Sequence, residues 1–159
     1  MYGDLGLFIN GEWRPARSGK TYIVTNPATE EPLGAAPAAG AADAEAAIAA
    51  ASHGLGVWRR TQPWERARLI RRIGELMRER IDELARWITL EVGKPLAQAK
   101  GEIQISIDQF EWFAEETKRI YGQTVESRTA NSRLLVTYAP VGVVAAFAAW
   151  NFPVALLAR

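Results

Sequence analysis

Residues 141–149 are almost entirely apolar, and no other feature narrows the possible folds of this chain as much. An apolar run of strand length, without alternation, reads as a β-strand buried on both faces, as in a parallel sheet covered by helices. The run ends at Trp150-Asn151-Phe152-Pro153, and residues 154–159 read as the first turn or so of a helix. Strand, turn and helix open a βαβ unit, whose parallel return strand would lie past residue 159. The expected fold class is therefore α/β. The chain is expected to be the opening part of a larger unit, cut off inside that crossover.

The preceding residues read as β, then helical, then β again. Phe8, Ile9, Trp13 and Arg14 flank Asn10-Gly11-Glu12, and Asn-Gly tolerates the positive φ of a tight hairpin. Residues 22–24 form a second expected strand, ended by Asn26-Pro27, and residues 33–35 a third. Three helices are expected next. The first, over 43–53, is alanine-rich, with Ala47, Ile48, Ala51 and Leu55 on one face and Gly54 and Gly56 weakening its end. The second starts near Pro63, which suits a first turn. Leu69, Ile73, Leu76, Met77, Ile81, Leu84 and Ile88 recur along it at three- and four-residue steps. Gly93-Lys94-Pro95 ends it. The third, over 96–121, would bury Ala99, Ile103, Ile107, Phe110, Ala114 and Tyr121. A polar turn over 127–132 and weak alternation over 133–138 then lead to Pro140 and the apolar run.

Composition removes several function classes. There is no cysteine, so disulfides, thiolate metal sites and a cysteine nucleophile are excluded within these residues. Nineteen basic against 18 acidic residues leave a net charge of +1, without the basic excess that nucleic-acid or membrane-surface binding needs. Residues 1–10 lack the basic start and apolar centre of a secretory signal, and no run of about 20 apolar residues exists to span a bilayer. The cytoplasm is the expected compartment.

Most chemically suggestive residues have a simpler structural reading. His53 is the single histidine and has no visible partner base or ligand. No metal-ligand spacing occurs, so no metal is expected. Asp108, Glu111, Glu115 and Glu116 fall around the outer part of a helix and read as a solvated face. Gly93-Lys94 lacks the rest of a phosphate-binding loop and reads as a helix stop. Most of the six tryptophans fall at core spacing. Asn151 differs, because it stands at the C-terminal end of the apolar strand, where open α/β sheets bind ligands. Its side-chain amide there can donate to a developing oxyanion. Arg159, two turns on, would face the same crevice, and its guanidinium suits a carboxylate held by two hydrogen bonds.

Five segments carry a family resemblance. Phe8-Ile9-Asn10-Gly11-Glu12-Trp13, Thr25-Asn26-Pro27-Ala28-Thr29, Leu90-Glu91-Val92-Gly93-Lys94-Pro95-Leu96, Pro140-Val141-Gly142-Val143-Val144 and Trp150-Asn151-Phe152-Pro153 occur in one order and spacing. In this the chain resembles the N-terminal portion of the aldehyde dehydrogenase superfamily, over essentially its whole length. Glu111-Trp112-Phe113-Ala114-Glu115-Glu116, followed by Lys118-Arg119-Ile120-Tyr121-Gly122, resembles the succinate-semialdehyde dehydrogenase branch.

The resemblance implies oxidation of a small-molecule aldehyde to its acid with NAD or NADP, through a cysteine thiohemiacetal whose cysteine lies outside this chain. Succinate semialdehyde is the implied substrate, with lactaldehyde, glutarate semialdehyde and betaine aldehyde as alternatives. Asn151 is the implied oxyanion donor. Phe147, Ala148, Trp150 and Asn151 are implied to run beside the cofactor, Phe152 to wall the substrate tunnel, and Arg159 to bind the distal carboxylate. The implied fold is the N-terminal part of the dehydrogenase fold: a hairpin start, three helices, oligomerisation strands and the first strand of a Rossmann-like parallel sheet. Its expected parts are 1–122, the beginning of the nucleotide-binding domain; 123–140, an arm joining subunits of a homodimer or homotetramer; and 141–159, a truncated strand-turn-helix. Ala149 departs from the family, which usually has proline there, at a cost on the order of 1 kcal/mol in loop preorganisation. The 159 residues alone are expected to be inactive, and a non-catalytic interaction module is the competing reading.

Overall fold

The computed structural model describes residues 5–159. Residues 1–4, which begin the stretch read above for a leader, lie outside the described residues. The chain opens with the expected hairpin. β1 (Leu7–Ile9) and β2 (Glu12–Arg14) pair antiparallel, with Ile9 opposite Glu12. Asn10 and Gly11 both take positive φ, 56° and 82°, the turn whose twist matches paired strands. Phe8 and Trp13 stand opposite each other, ring centroids 5.0 Å apart. β3 (Thr21–Thr25) and β4 (Pro32–Pro37) form a second antiparallel pair with a register shift at Val24/Thr25. Asn26 closes their connection. Its carboxamide accepts the Ala28 N–H at 2.9 Å, and its own N–H donates to the Glu31 carbonyl at 2.9 Å.

Four long helices follow: α1 (Ala41–Trp58), α2 (Pro63–Glu79), α3 (Ile81–Val92) and α4 (Leu96–Glu116). α1 begins where the buried Asp43 accepts backbone N–H groups from Gly40 at 2.9 Å and Arg17 at 3.1 Å. These bonds, that to Gly40 first, hold the Asp43 carboxyl below its ordinary pKa. The expected face of this helix is not the buried one. Ile48 is 58% exposed, Ala47 and Ala51 are exposed, and the helix runs past Gly54 and Gly56 to Trp58. Alanine favours helix at every position and so does not mark a face.

The single long second helix expected from the apolar stripe is two. It breaks at Arg80, whose φ of −119° and ψ of 21° are non-helical. α2 turns Ala67 and Gly74 toward α4, while Leu69, Ile73 and Leu76 stay exposed. Small residues let the helices approach closely. The exposed part of the expected stripe is Leu69, Ile73 and Leu76, while Met77, Ile81, Leu84 and Ile88 of the same stripe lie in or against the core. Ala85 and Ile88 of α3 join Ala99, Ile103 and Ile107 of α4 in the core, and Met77, Ile81, Leu84, Val92 and Val154 pack around them. α4 ends at Glu116 rather than 121, and Tyr121 is exposed. Phe110 is half-buried. Trp13, Trp58, Trp64, Trp112 and Trp150 are exposed too, against the expectation that most tryptophans are core.

β5 (Gln123–Glu126) and β6 (Arg133–Val136) pair as a third antiparallel ribbon, exposed at every position. The largest difference from expectation follows. Residues 141–149 form no strand, Val141 is 93% exposed and Phe147 is 95% exposed. A strand needs a neighbour to take its N–H and C=O groups. The strands among the described residues form three separate two-stranded antiparallel ladders, none of which extends to this run. No parallel sheet forms among them, and the α/β class rests on the mixture of hairpins and helices. A one-turn helix, α5 (Ala155–Ala158), closes the described chain. No helix among the described residues is long and apolar enough to cross a membrane.

Candidate functional site

The site grows from the corner between α3 and α4. Gly93 caps α3 in the left-handed conformation, φ 76°, which glycine reaches at little cost. Pro95 then starts α4. Lys94, between them, is neither in α3 nor in α4. Its side chain is 11% exposed and forms an ion pair with Glu102, whose side chain is completely buried. Glu102 lies on the face of α4 that also buries Ala99, Ile103 and Ser106.

This ion pair holds the segment before α5. Glu102 Oε1 accepts the N–H of Val154 at 3.0 Å and of Ala155 at 3.3 Å, amides that have no partner inside a short helix. Oε2 faces Lys94 Nζ. The ammonium also donates to the backbone carbonyl of Asn151 at 2.7 Å and lies 3.9 Å from the Phe152 ring centroid. The turn is closed by the Phe152 N–H donating to Ala149 O at 3.2 Å. A buried carboxylate is costly unless its lone pairs are engaged. Here two amides and one ammonium engage them.

Asn151 and Phe152 are thus gathered with Lys94 and Glu102. The Asn151 side chain is left exposed, and Phe152 is part-exposed beneath the ammonium. Trp150 and Phe147 project from the open segment, Ala148 is half-buried, and Arg159 is exposed just after α5. Among the described residues, no hydrogen bond, ion pair or ring contact joins Phe147 or Arg159 to the Lys94 cluster. The arrangement offers a neutral amide donor on a braced turn, beside exposed apolar rings. It can polarise a carbonyl oxygen, but it contains no nucleophile.

Sequence reasoning missed Lys94 and Glu102. Gly93-Lys94 ends α3, as its glycine implies, and it also supplies the ammonium. The available signal was a glutamate on the apolar face of α4, eight residues after a lysine. Elsewhere the carboxylates behave as a solvated face. Glu111 pairs with Arg78 at 2.6 Å, and Glu115 pairs with Arg71 and Lys118. The Lys118 hydrogen bond is the main cause that lowers the Glu115 pKa. His53 lies exposed on α1. No group of three or more His, Asp or Glu among the described residues could hold a metal ion.

Residues 13–159 match the sequence profile of the aldehyde dehydrogenase family. The chain is 50% identical over 151 residues to an NADP(+) succinate-semialdehyde dehydrogenase of Escherichia coli (strain K12), covering 95% of this chain and 31% of that one. It is 50% identical over 152 residues to a glutarate-semialdehyde dehydrogenase of Pseudomonas putida, covering 96% of this chain and 32% of the relative. A crystal structure of succinate-semialdehyde dehydrogenase from Burkholderia pseudomallei superposes with a TM-score of 0.92 at 45% identity, over 97% of this chain and 32% of that one. The chain therefore spans about a third of the length of these relatives.

Proposed function

The chain belongs to the aldehyde dehydrogenase family, and from that premise we propose that it forms the N-terminal part of an enzyme oxidising a carboxylate-bearing aldehyde, succinate semialdehyde first, with NAD or NADP. The observation that carries this reading is Asn151, presented on a turn braced by Lys94 and Glu102. When a nucleophile adds to an aldehyde, the carbonyl oxygen gains negative charge. A preorganised amide donor at that oxygen is worth about 3 kcal/mol in a water-excluded site. Asn151 takes this role. The nucleophile is a thiolate from outside these residues, since none of them is cysteine. For the same reason the 159 residues alone release no NAD(P)H.

The exposed segment suits the nicotinamide end of the cofactor. Phe147 and Trp150 offer open ring surface, Ala148 leaves room beside them, and Asn151 adds a neutral polar group. When bound, the dinucleotide supplies the hydride acceptor. The protein's own part is to orient the aldehyde carbonyl with Asn151 and to wall the substrate with Phe152. The Arg159 guanidinium grips the distal carboxylate with two parallel hydrogen bonds. The Escherichia coli and Pseudomonas putida relatives are named for semialdehydes that carry such a carboxylate, which supports this assignment. The β5–β6 ribbon exposes Val125, Leu134, Leu135 and Val136. An apolar ribbon of this kind suits burial against another subunit, so the 123–140 arm joins copies into a dimer or tetramer.

The test is NAD(P)H formation by the complete protein with succinate semialdehyde, set against butanal, which has the same chain length without the carboxylate. An absorbance rise that depends on aldehyde, with the higher kcat/KM for succinate semialdehyde, is expected. No rise with succinate semialdehyde, or preference for butanal, refutes the substrate assignment, and no rise with glutarate semialdehyde, lactaldehyde or betaine aldehyde either refutes the dehydrogenase reading.

A further inference from the structure

We propose that Lys94 and Glu102 are positioning residues for Asn151, an ion pair that clamps the 150–154 turn so that the Asn151 amide stays aimed at the reacting oxygen. The inference rests on the dehydrogenase reading above and adds two residues to its machinery.

Three parts of the chain meet at this pair and are tied by it. Lys94 comes from the α3–α4 corner, Glu102 from the buried face of α4, and the turn leads into α5. The bonds bracket Asn151 closely. Lys94 Nζ holds the Asn151 carbonyl at 2.7 Å, and Glu102 Oε1 holds the N–H groups three and four residues later, at 3.0 and 3.3 Å. Lys94 Nζ also lies over the Phe152 ring at 3.9 Å, so the next side chain is held by the same charge.

Within the turn the Phe152 N–H donates to Ala149 O at 3.2 Å and the Leu156 N–H to Phe152 O at 3.3 Å. Among the described residues, only Lys94 and Glu102 hydrogen-bond to it through side chains from other parts of the chain. The Asn151 side chain is exposed, and its residue is held through its backbone oxygen. The clamp fixes the backbone position from which the Asn151 amide projects. A displacement of about 1 Å at such a donor costs on the order of a hundredfold in rate.

The experiment compares kcat, KM and hydrogen exchange in the complete protein for Lys94→Met, Lys94→Arg, Asn151→Ala and the Lys94→Met/Asn151→Ala double variant. Lys94→Met is expected to lower kcat by roughly tenfold or more with the cofactor KM little changed. It is also expected to speed amide exchange over residues 150–156. Lys94→Arg, which keeps the charge, is expected to recover most of the rate. The double variant is expected to be no slower than Asn151→Ala, because Lys94 acts through Asn151. If Lys94→Met fails to fold, Glu102→Gln replaces it. Gln keeps an oxygen for the Val154 and Ala155 amides but loses the charge that holds Lys94, and the same pattern is expected.

Unchanged exchange over 150–156 overturns the clamp. So does an unchanged kcat, or a Lys94→Met loss that multiplies in full onto the Asn151→Ala loss, which would mark a general structural role. If the unsubstituted protein oxidises no aldehyde, the dehydrogenase reading fails and takes the positioning role with it. That outcome is distinct from an active enzyme indifferent to Lys94.

Discussion

Replacing Gly74 with alanine is expected to stabilise the protein, although Gly74 is buried where α2 crosses α4. The sign is decided by space. A Cβ built on Gly74 meets Ile107 O at 3.6 Å, Phe110 Cβ at 3.6 Å and Ile107 Cγ2 at 3.8 Å. These are ordinary contact distances, so the methyl group enters without displacing α4. Alanine in a helix interior is favoured over glycine by about 0.8–1.0 kcal/mol, much of it through the unfolded chain. Burying one more methyl adds up to roughly 0.8 kcal/mol. Incomplete fit subtracts from both, leaving a net gain of about 1 kcal/mol. The assay is equilibrium urea unfolding of the parent and the variant side by side. The midpoint is expected to rise at constant m-value, with a Tm increase of roughly 2–4 °C. Gly74→Leu is the control. Its larger side chain must push on the α4 backbone at Ile107 and is expected to cost about 2 kcal/mol. A Gly74→Ala variant destabilised by about 1 kcal/mol or more would mean that α2 and α4 approach more closely than described. It would refute the argument that the helix seam has room.

Gly122→Ala has the opposite sign, because its Cβ would lie 2.7 Å from the carbonyl oxygen of Val136. It should cost about 1–3 kcal/mol and weaken subunit association of the complete protein, read by light scattering. Asp43 has a lowered carboxyl pKa in the fold. Its stabilisation is therefore complete above the unfolded pKa and is lost as pH falls through the lower folded value. Asp43→Asn offers one acceptor oxygen where the carboxylate uses two. It should destabilise the protein at neutral pH and flatten the acid limb of stability measured by urea titration, whereas an unchanged acid limb would assign that limb to other groups. Arg159→Ala in the complete protein should raise KM for succinate semialdehyde about 10- to 100-fold, the range of a hydrogen-bonded charge pair, and leave butanal kinetics unchanged. Equal effects on both aldehydes would remove Arg159 from carboxylate binding.

Local chemistry was readable from sequence wherever neighbours in the chain decide it. Asn10-Gly11 specified the first hairpin, because two successive positive φ values admit few residues. Gly93 specified the end of α3 for the same reason, and Pro63 marked the start of α2. The break at Arg80 was hidden, because the apolar spacing from Leu76 and Met77 to Ile81 and Leu84 continues across it. Periodicity shows that a face is apolar and says nothing about whether the backbone bends beneath it. The buried seam of α2 was hidden too. It is made by Ala67 and Gly74, which carry little hydrophobic signal, while Leu69 and Ile73 remain outside.

Sequence by itself determined the family, through five segments in register, and with it Asn151 as the residue to watch. It determined the hairpin turn and the glycine stop through backbone sterics, which act within a few residues. Whether residues 141–149 become a strand is a matter for tertiary structure, because an apolar run becomes a strand only beside a partner ladder. Tertiary structure alone also brought Lys94 and Glu102 to the turn that bears Asn151. Those two residues are 57 and 49 positions before Asn151 in the chain, and nothing local to either marks the distant backbone groups it binds. The pairing exists because the corner after α3 and the buried face of α4 converge on the segment before α5, where a buried carboxylate needs donors and a short helix needs an acceptor.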